Sequence, residues 1–176
     1  TQMPNSERRH TIAVLVDNEP GVLARVIGLF AGRGYNIESL TVSEIDAVKG
    51  YSRITIVTSG TDMVIEQIKA LLDRLVPVHM VEDLTIQGPC LERELALVKV
   101  VNSGESRIEA LRIADMFRAH AIDSTLDSFV FELTGSPQKL NAFIELMAGL
   151  GETEITRGGV VAIARGNTVG LKTSQY

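Results

Sequence analysis

Apolar positions in the first half of the chain switch between a period of two and a period near 3.6. Ile12, Val14 and Val16 alternate, which predicts a strand over residues 10–17. Val22, Leu23, Val26, Ile27 and Phe30 then fall at helical spacing and predict a helix over about residues 20–33. Pro20 lacks a backbone N–H and suits the first turn of that helix. Asp17, Asn18 or Glu19 can cap it and complement its positive end. Gly34 suits the left-handed residue that closes a helix. A second strand follows from Tyr35 to Ser43. Its apolar parity slips between Tyr35/Ile37 and Leu40/Val42, which predicts a bulge or bend near Glu38-Ser39. After a loop from Glu44 to Gly50, Tyr51 to Thr58 reads as a third strand with Ile54 and Ile56 on one face. Thr61 or Asp62 starts a second helix whose stripe is Val64, Ile65, Ile68, Leu71, Leu72 and Leu75. Pro77 sits early in a fourth strand that runs to Leu84 or Ile86, as an edge strand or strand start permits. The order is βαββαβ. The crossover rule makes it a four-stranded antiparallel sheet with both helices on one face.

Gln87-Gly88-Pro89-Cys90 breaks the pattern, and a similar order returns after it. Glu94 to Val101 is a strand. Ser106 to His120 is a helix carrying Ile108, Leu111, Ile113, Ala114 and Phe117. Ile122 to Leu126 and Ser128 to Thr134 are strands. Ser136 to Leu150 is a helix with Ser136 as cap and Pro137 first. Glu152 to Arg157 and Val160 to Ala164 are the last strands. The expected class is α+β, with two ferredoxin-like βαββαβ domains. The expected limits are a tail over 1–9, a first domain over 10–86, a linker over 87–92, a second domain over 93–166 and a tail over 167–176, polar and frayed.

Composition narrows the function. The 176 residues are 45% hydrophobic, which is enough for one large or two small domains with real cores. The net charge of −5 argues against broad nucleic-acid binding, which needs clustered Lys and Arg. Cys90 is the single cysteine, so no intrachain disulfide and no cysteine metal site form, and in the linker it reads as inert. His10, His79 and His120 are scattered, against a metal site. No apolar run approaches the ~20 residues of a membrane helix, and no signal peptide is legible. A reducing, cytoplasmic compartment is expected. Arg8-Arg9 reads as part of a solvated tail. Gly32-x-Gly34 ends a helix and lacks a third glycine, so it is no dinucleotide fingerprint.

The turn before the first helix carries the strongest candidate chemistry. Free N–H groups at a helix N-terminus form a ready carboxylate site. Asn18 and Gly21 sit there, and Asn36 opens the next strand. Taken alone, Asn18 reads first as a turn or cap residue, and Asn36 as the residue after a glycine helix end. Gly21 also permits close approach of backbone to a ligand. Strand two is an edge, and unpaired edges are usually covered or paired. Pairing it with its own copy gives an eight-stranded sheet across a two-fold axis. That pairing brings the Asn18 turn of one chain near Asn36 of the other.

The run from Asn18 through Phe30 (NEPGVLARVIGLF), with Arg33 through Val42 (RGYNIESLTV), resembles the ACT domain of the acetolactate synthase small-subunit family. The resemblance extends to Glu92 through Val100 and to Arg157 through Arg165, and so spans essentially the whole chain. Gly158 stands where Ser or Thr is expected. The resemblance implies a regulatory subunit that activates a thiamine-diphosphate-dependent catalytic subunit and makes it sensitive to valine or another branched-chain amino acid. It implies a homodimer through ACT domains with the ligand at their interface. Asn18 and Asn36 would hydrogen-bond that ligand, the backbones of Gly21, Val22 and Leu23 would complete the site, and Ile37 would wall its aliphatic part. Thiamine diphosphate, magnesium and FAD would belong to the large catalytic subunit, with none in this chain. Neither nucleic acid nor membrane is an expected partner.

Two other classes compete with a non-catalytic regulatory subunit. An enzyme on this fold needs a nucleophile–base pair, a phosphate loop or a metal motif, and the sequence offers none. An amino-acid-responsive ACT or RAM transcription regulator lacking its DNA-binding domain remains the alternative. Against it stand the acidic balance and the absence of a helix-turn-helix ahead of the repeat.

Overall fold

The structure is a computed structural model that describes residues 6–167 and 169–171. The chain divides into two compact units. The first gathers the described residues up to Leu91 and those from Val160 onward, and the second holds Glu92–Gly159.

In the first unit the elements are β1 (Arg8–Asp17), α1 (Val22–Gly32), β2 (Ile37–Asp46), β3 (Tyr51–Gly60), α2 (Asp62–Asp73) and β4 (Val78–Asp83). The sheet order is β2-β3-β1-β4 with antiparallel neighbours, so β2 is an edge strand as the sequence predicts. Ile12, Val14, Val16, Ile54 and Ile56 meet Val22, Val26 and Phe30 of α1 and Ile65, Ile68 and Leu72 of α2. The register of β2 on β3 slips between Ile37 and Ser39, where the apolar parity predicts a bulge or bend.

Helix α1 starts later than its sequence suggests. Pro20 lies in the turn ahead of it, and Gly21 takes the N-cap position at φ 86° with no side-chain cap. Asp17, Asn18 and Glu19 are therefore not its caps. The Asp17 carboxylate meets His79 at 2.5 Å instead, and the Glu19 carbonyl accepts the Val22 N–H. The other end behaves as read. Gly34 holds φ 70°, its N–H bonds Ala31 O at 3.2 Å, and the Tyr35 N–H bonds Phe30 O at 2.9 Å. These two bonds and the edge-on contact of the Phe30 and Tyr35 rings make a Schellman closure. Thr61 caps α2 through the Val64 N–H.

Three expectations about the first unit are corrected. Arg8 and Arg9 are not a tail: β3 runs on to Gly60 and offers ladder partners, and Arg8 reaches Asp62 at 2.8 Å. The loop after β2 shrinks, because Asp46 accepts the Val48 and Lys49 N–H groups and tightens the hairpin. Strand β1 is buried on both parities, not one. Thr11, Ala13 and Leu15 are fully buried as well. Over Ala13 the cover is the chain's own later segment. Ala162 joins Ala13 and Leu84 in a small cluster flanked by Cys90 and Leu171. Val160 bonds Ser39 and Thr41 of β2, and the Arg53 guanidinium donates to Ala162 O at 2.8 Å. Burial there pulls Arg53 below its ordinary pKa, and the charge of Glu82 works against that fall.

The remaining elements are β5 (Cys90–Val101), α3 (Glu105–Met116), β6 (His120–Ser124), β7 (Ser128–Gly135), α4 (Pro137–Ala148), β8 (Glu152–Arg157) and β9 (Val161–Ala164). The order β6-β7-β5-β8 repeats that of the first sheet, and β9 pairs with β5 off this path. Ala96, Val98, Val100, Phe129, Phe131 and Leu133 meet Ala110, Ile113 and Ala114 of α3 and Leu140, Phe143 and Met147 of α4. Ser136 caps α4 and Pro137 leads it, as predicted. Strand β5 begins at Cys90, inside the expected linker. Helix α3 stops at Met116 because Arg118 turns left-handed and the Ala119 N–H closes on Ala114 O, which lets β6 start at His120. Ile108 and Leu111 are exposed rather than core. Residues 160–166, read from sequence as the end of the second domain, group with the first unit.

Candidate functional site

The β1–α1 turn is built from backbone constraints. The Asp17 N–H bonds Pro77 O at 2.9 Å and the Asn18 N–H bonds Gly50 O at 2.6 Å, which tie the turn to the start of β4 and to the β2–β3 hairpin. Asn18 is exposed, and its amide donates to Glu44 at 2.5 Å. Gly21 is exposed, and a Cβ added there meets nothing within 4 Å. Above the first turn of α1 there is thus open space. Its Leu23 and Ala24 N–H groups have no acceptor among the described residues, as befits a helix start. Such a start favours a carboxylate through both hydrogen bonding and the helix dipole.

The six candidate residues fall into two groups. Asn18, Gly21, Val22 and Leu23 gather at the N-terminus of α1. Asn36 and Ile37 lie beyond its C-terminus. The 11 residues of α1 hold the groups about 16 Å apart within one chain. Val22 is buried, so only its backbone faces the turn, while Leu23 is part-exposed. Asn36 is exposed, and its carbonyl accepts the Thr58 hydroxyl at 2.6 Å. Ile37 is half-buried against the first core, which limits the surface left for a ligand. Glu44 is the residue that sequence reasoning missed: read as loop, it lies in β2 and holds the Asn18 amide. The β2 edge strand carries exposed Val42 and Ile45, and α1 exposes Leu23 and Ile27 one turn apart. No group of His, Cys, Asp and Glu that could hold a metal occurs among the described residues. No helix there is long and apolar enough to cross a membrane.

The second unit has its own polar anchor. Glu94 is buried, and its Oε1 accepts from Arg157 Nε and Nη2 at 3.1 and 2.6 Å. Its Oε2 accepts the Gly159 N–H at 3.0 Å, and Arg157 also donates to Asn141. Every charged atom of this cluster is occupied, which suits a structural brace better than a ligand site.

Comparison with known proteins places these features. The model for the acetohydroxyacid synthase small-subunit-like ACT domain matches residues 12–80, and that for the small subunit of acetolactate synthase matches residues 93–166. The chain belongs to the acetolactate synthase small-subunit family. A probable acetolactate synthase small subunit of Archaeoglobus fulgidus is 47% identical over 159 residues, 90% of this chain and 98% of that one. The isozyme 3 small subunit of Escherichia coli is 44% identical, over 92% of this chain and 98% of its own length. The crystal structure of the acetolactate synthase small subunit from Thermotoga maritima superposes with a TM-score of 0.80 at 39% identity, over 92% of this chain and 99% of the other. The ACT match lies within the first unit, and Glu94 and Arg157 fall inside the part matched by the second model.

Proposed function

We propose that this chain is the non-catalytic regulatory subunit of acetolactate synthase in branched-chain amino acid biosynthesis. It docks on the large catalytic subunit, raises its activity and carries feedback inhibition by valine. Membership of the small-subunit family supports the partner. The separation of Asn18 from Asn36 supports a ligand site shared by two chains. One chain holds these residues at opposite ends of α1. Antiparallel pairing of β2 with its own copy reverses the partner, so the Asn18 end of one chain lies beside the Asn36 end of the other. Exposed Val42 on that edge, with Leu23 and Ile27 on α1, gives the pairing apolar area to bury. The ligand carboxylate would take the N–H groups at the start of α1, and the two amides would orient its ammonium. Thiamine diphosphate and its metal act in the catalytic partner.

The test is reconstitution. The purified chain is expected to sediment as a dimer of the 19.1 kDa protomer, to turn over no pyruvate when supplied with thiamine diphosphate and magnesium, and to raise the rate of added catalytic subunit. Addition of valine then lowers that rate. A monomer with and without valine, or a holoenzyme indifferent to valine, overturns the reading.

A further inference from the structure

The peptide joining Gly159 to Val160 is where the chain passes from one unit to the other. Each side of it is held by side chains. On the second unit's side the Gly159 N–H is taken by the buried Glu94, with Gly159 at φ 88°. On the first unit's side both backbone groups of Val160 are taken by β2. The Val160 N–H donates to Ser39 Oγ at 2.9 Å, and Val160 O accepts from Thr41 Oγ1 at 3.0 Å. Ser39 and Thr41 are two apart, so their side chains share one face of β2. They act together as a replacement ladder rung for a single residue. Val160 is 3% exposed, so its own backbone groups are buried, while the Ser39 and Thr41 ends of the two bonds are part-buried.

Strand β2 makes this rung consequential. Its register slips between Ile37 and Ser39, and the slip separates the Asn36–Ile37 end from the Ser39–Thr41 rung by one bulged residue, Glu38. Glu38 is exposed, and its carboxylate accepts from Ser59 Oγ at 2.6 Å. A bulge is a local irregularity that admits a small change of twist without breaking the sheet. Ala162, two residues past Val160, is tied to the same sheet by Arg53.

We propose that the Ser39–Val160–Thr41 rung is the coupling joint of this protein: ligand at the Asn36 end of β2 moves the rung through the Glu38 bulge, and Val160 hands that movement to the second unit through Gly159. Ser39 and Thr41 are then positioning residues that touch no ligand. The inference rests on the amino-acid site proposed above. It goes beyond that site in assigning the route by which occupancy leaves the first unit.

The experiment uses the full chain, alone and reconstituted with the catalytic subunit, with valine as the probe. Ser39→Ala/Thr41→Val removes both hydroxyls at near-constant volume. Ser39→Thr/Thr41→Ser keeps both and controls for repacking. Hydrogen exchange of the parent with valine is expected to change at the Val160 amide and at amides of residues 92–159. The hydroxyl-free variant is expected to bind valine with parental affinity by calorimetry, to lose those exchange changes and to lose inhibition of the holoenzyme. The control keeps all three. Parental inhibition in the hydroxyl-free variant overturns the joint, as does unchanged exchange at Val160 in a parent shown by calorimetry to hold valine. Loss of valine binding in that variant alone also overturns it, because the hydroxyls would then serve the site itself. A parent that binds no valine removes the underlying site, and the joint falls with it. Calorimetry on the parent separates that case from the others.

Discussion

Replacing Gly21 with Asp tests the pocket with folding held apart from binding. Gly21 holds φ 86°, and a Cβ added there meets nothing within 4 Å. The substitution therefore brings backbone strain and no clash. An L-residue in the left-handed region costs roughly 1–2 kcal/mol, and Asp and Asn are among the residues found there most readily. That is small beside a typical domain stability of about 5–15 kcal/mol, so the fold and the activation it supports should persist. The ligand effect is of another kind. A second carboxylate ~4 Å from that of a bound amino acid opposes it by about 1 kcal/mol in bulk water and about 4 kcal/mol at the effective dielectric near a protein surface. At 1.4 kcal/mol per decade, the inhibition midpoint rises between about 5-fold and about 1,000-fold. The exposure of Gly21 favours the lower part of that range. Gly21→Asn has the same shape and strain without the charge, so the difference between the two variants isolates the electrostatic effect. The assay is holoenzyme activity against valine concentration, with urea unfolding of each chain alongside. A parental midpoint for Gly21→Asp refutes the pocket. So does an equal shift in both variants, which would mean that charge plays no part.

Three further outcomes follow from the geometry. Asn18→Ala and Asn36→Ala should each weaken valine binding about 10- to 100-fold, since a hydrogen bond to a charged group is worth ~1.5–3 kcal/mol; calorimetry on the dimer reads the affinity, and activation of the catalytic subunit should be kept. Glu94→Gln takes the charge from a buried carboxylate that Arg157 grips twice and should destabilise the chain by about 1.5–3 kcal/mol in urea unfolding, with the partial exposure of the Arg157 side chain limiting the loss. The Arg8 hydrogen bond holds the Asp62 carboxyl below its ordinary 3.8, so whatever this surface pair adds to stability is present above that value and disappears as pH falls through the lower folded one; in Arg8→Ala, NMR titration should find Asp62 moved back up.

Much of the fold was legible because period and punctuation agreed. The parity slip between Ile37 and Leu40 located the bulge, and Gly34 and Thr61 marked helix ends whose bonds the structure contains. The N-terminus of α1 was misread because Asp17, Asn18 and Glu19 are all capping types, and local preference does not reveal that Asp17 and Asn18 have partners far along the chain, His79 and Glu44. The run from Thr11 to Val16 held a signal that alternation alone understates. Ala13 and Leu15 fill the second parity, a continuous apolar run that marks a strand covered on both faces. What covers it lies some 150 residues away in sequence, beyond the reach of any periodic pattern. The candidate turn was legible as a helix start with Asn and Gly beside it. The separation of Asn18 from Asn36 was legible too, since the predicted helix lies between them; the hold of Glu44 on Asn18 was not, because it joins residues 26 apart in sequence.

The cover over β1 sets how this protein can be dissected. Cutting the chain after Leu91 would remove Val160 and Ala162 from the first sheet. It would take the cover from Ala13 and Leu84 and leave the Ser39 and Thr41 hydroxyls without their backbone partner. A fragment made that way invites adhesion to other surfaces rather than an isolated amino-acid binder. A minimal ACT fragment therefore has to keep the segment from Val160 as well as the residues up to Leu91. Glu94, Arg157 and Gly159, which bond one another, all fall in Glu92–Gly159 and stay together in such a division.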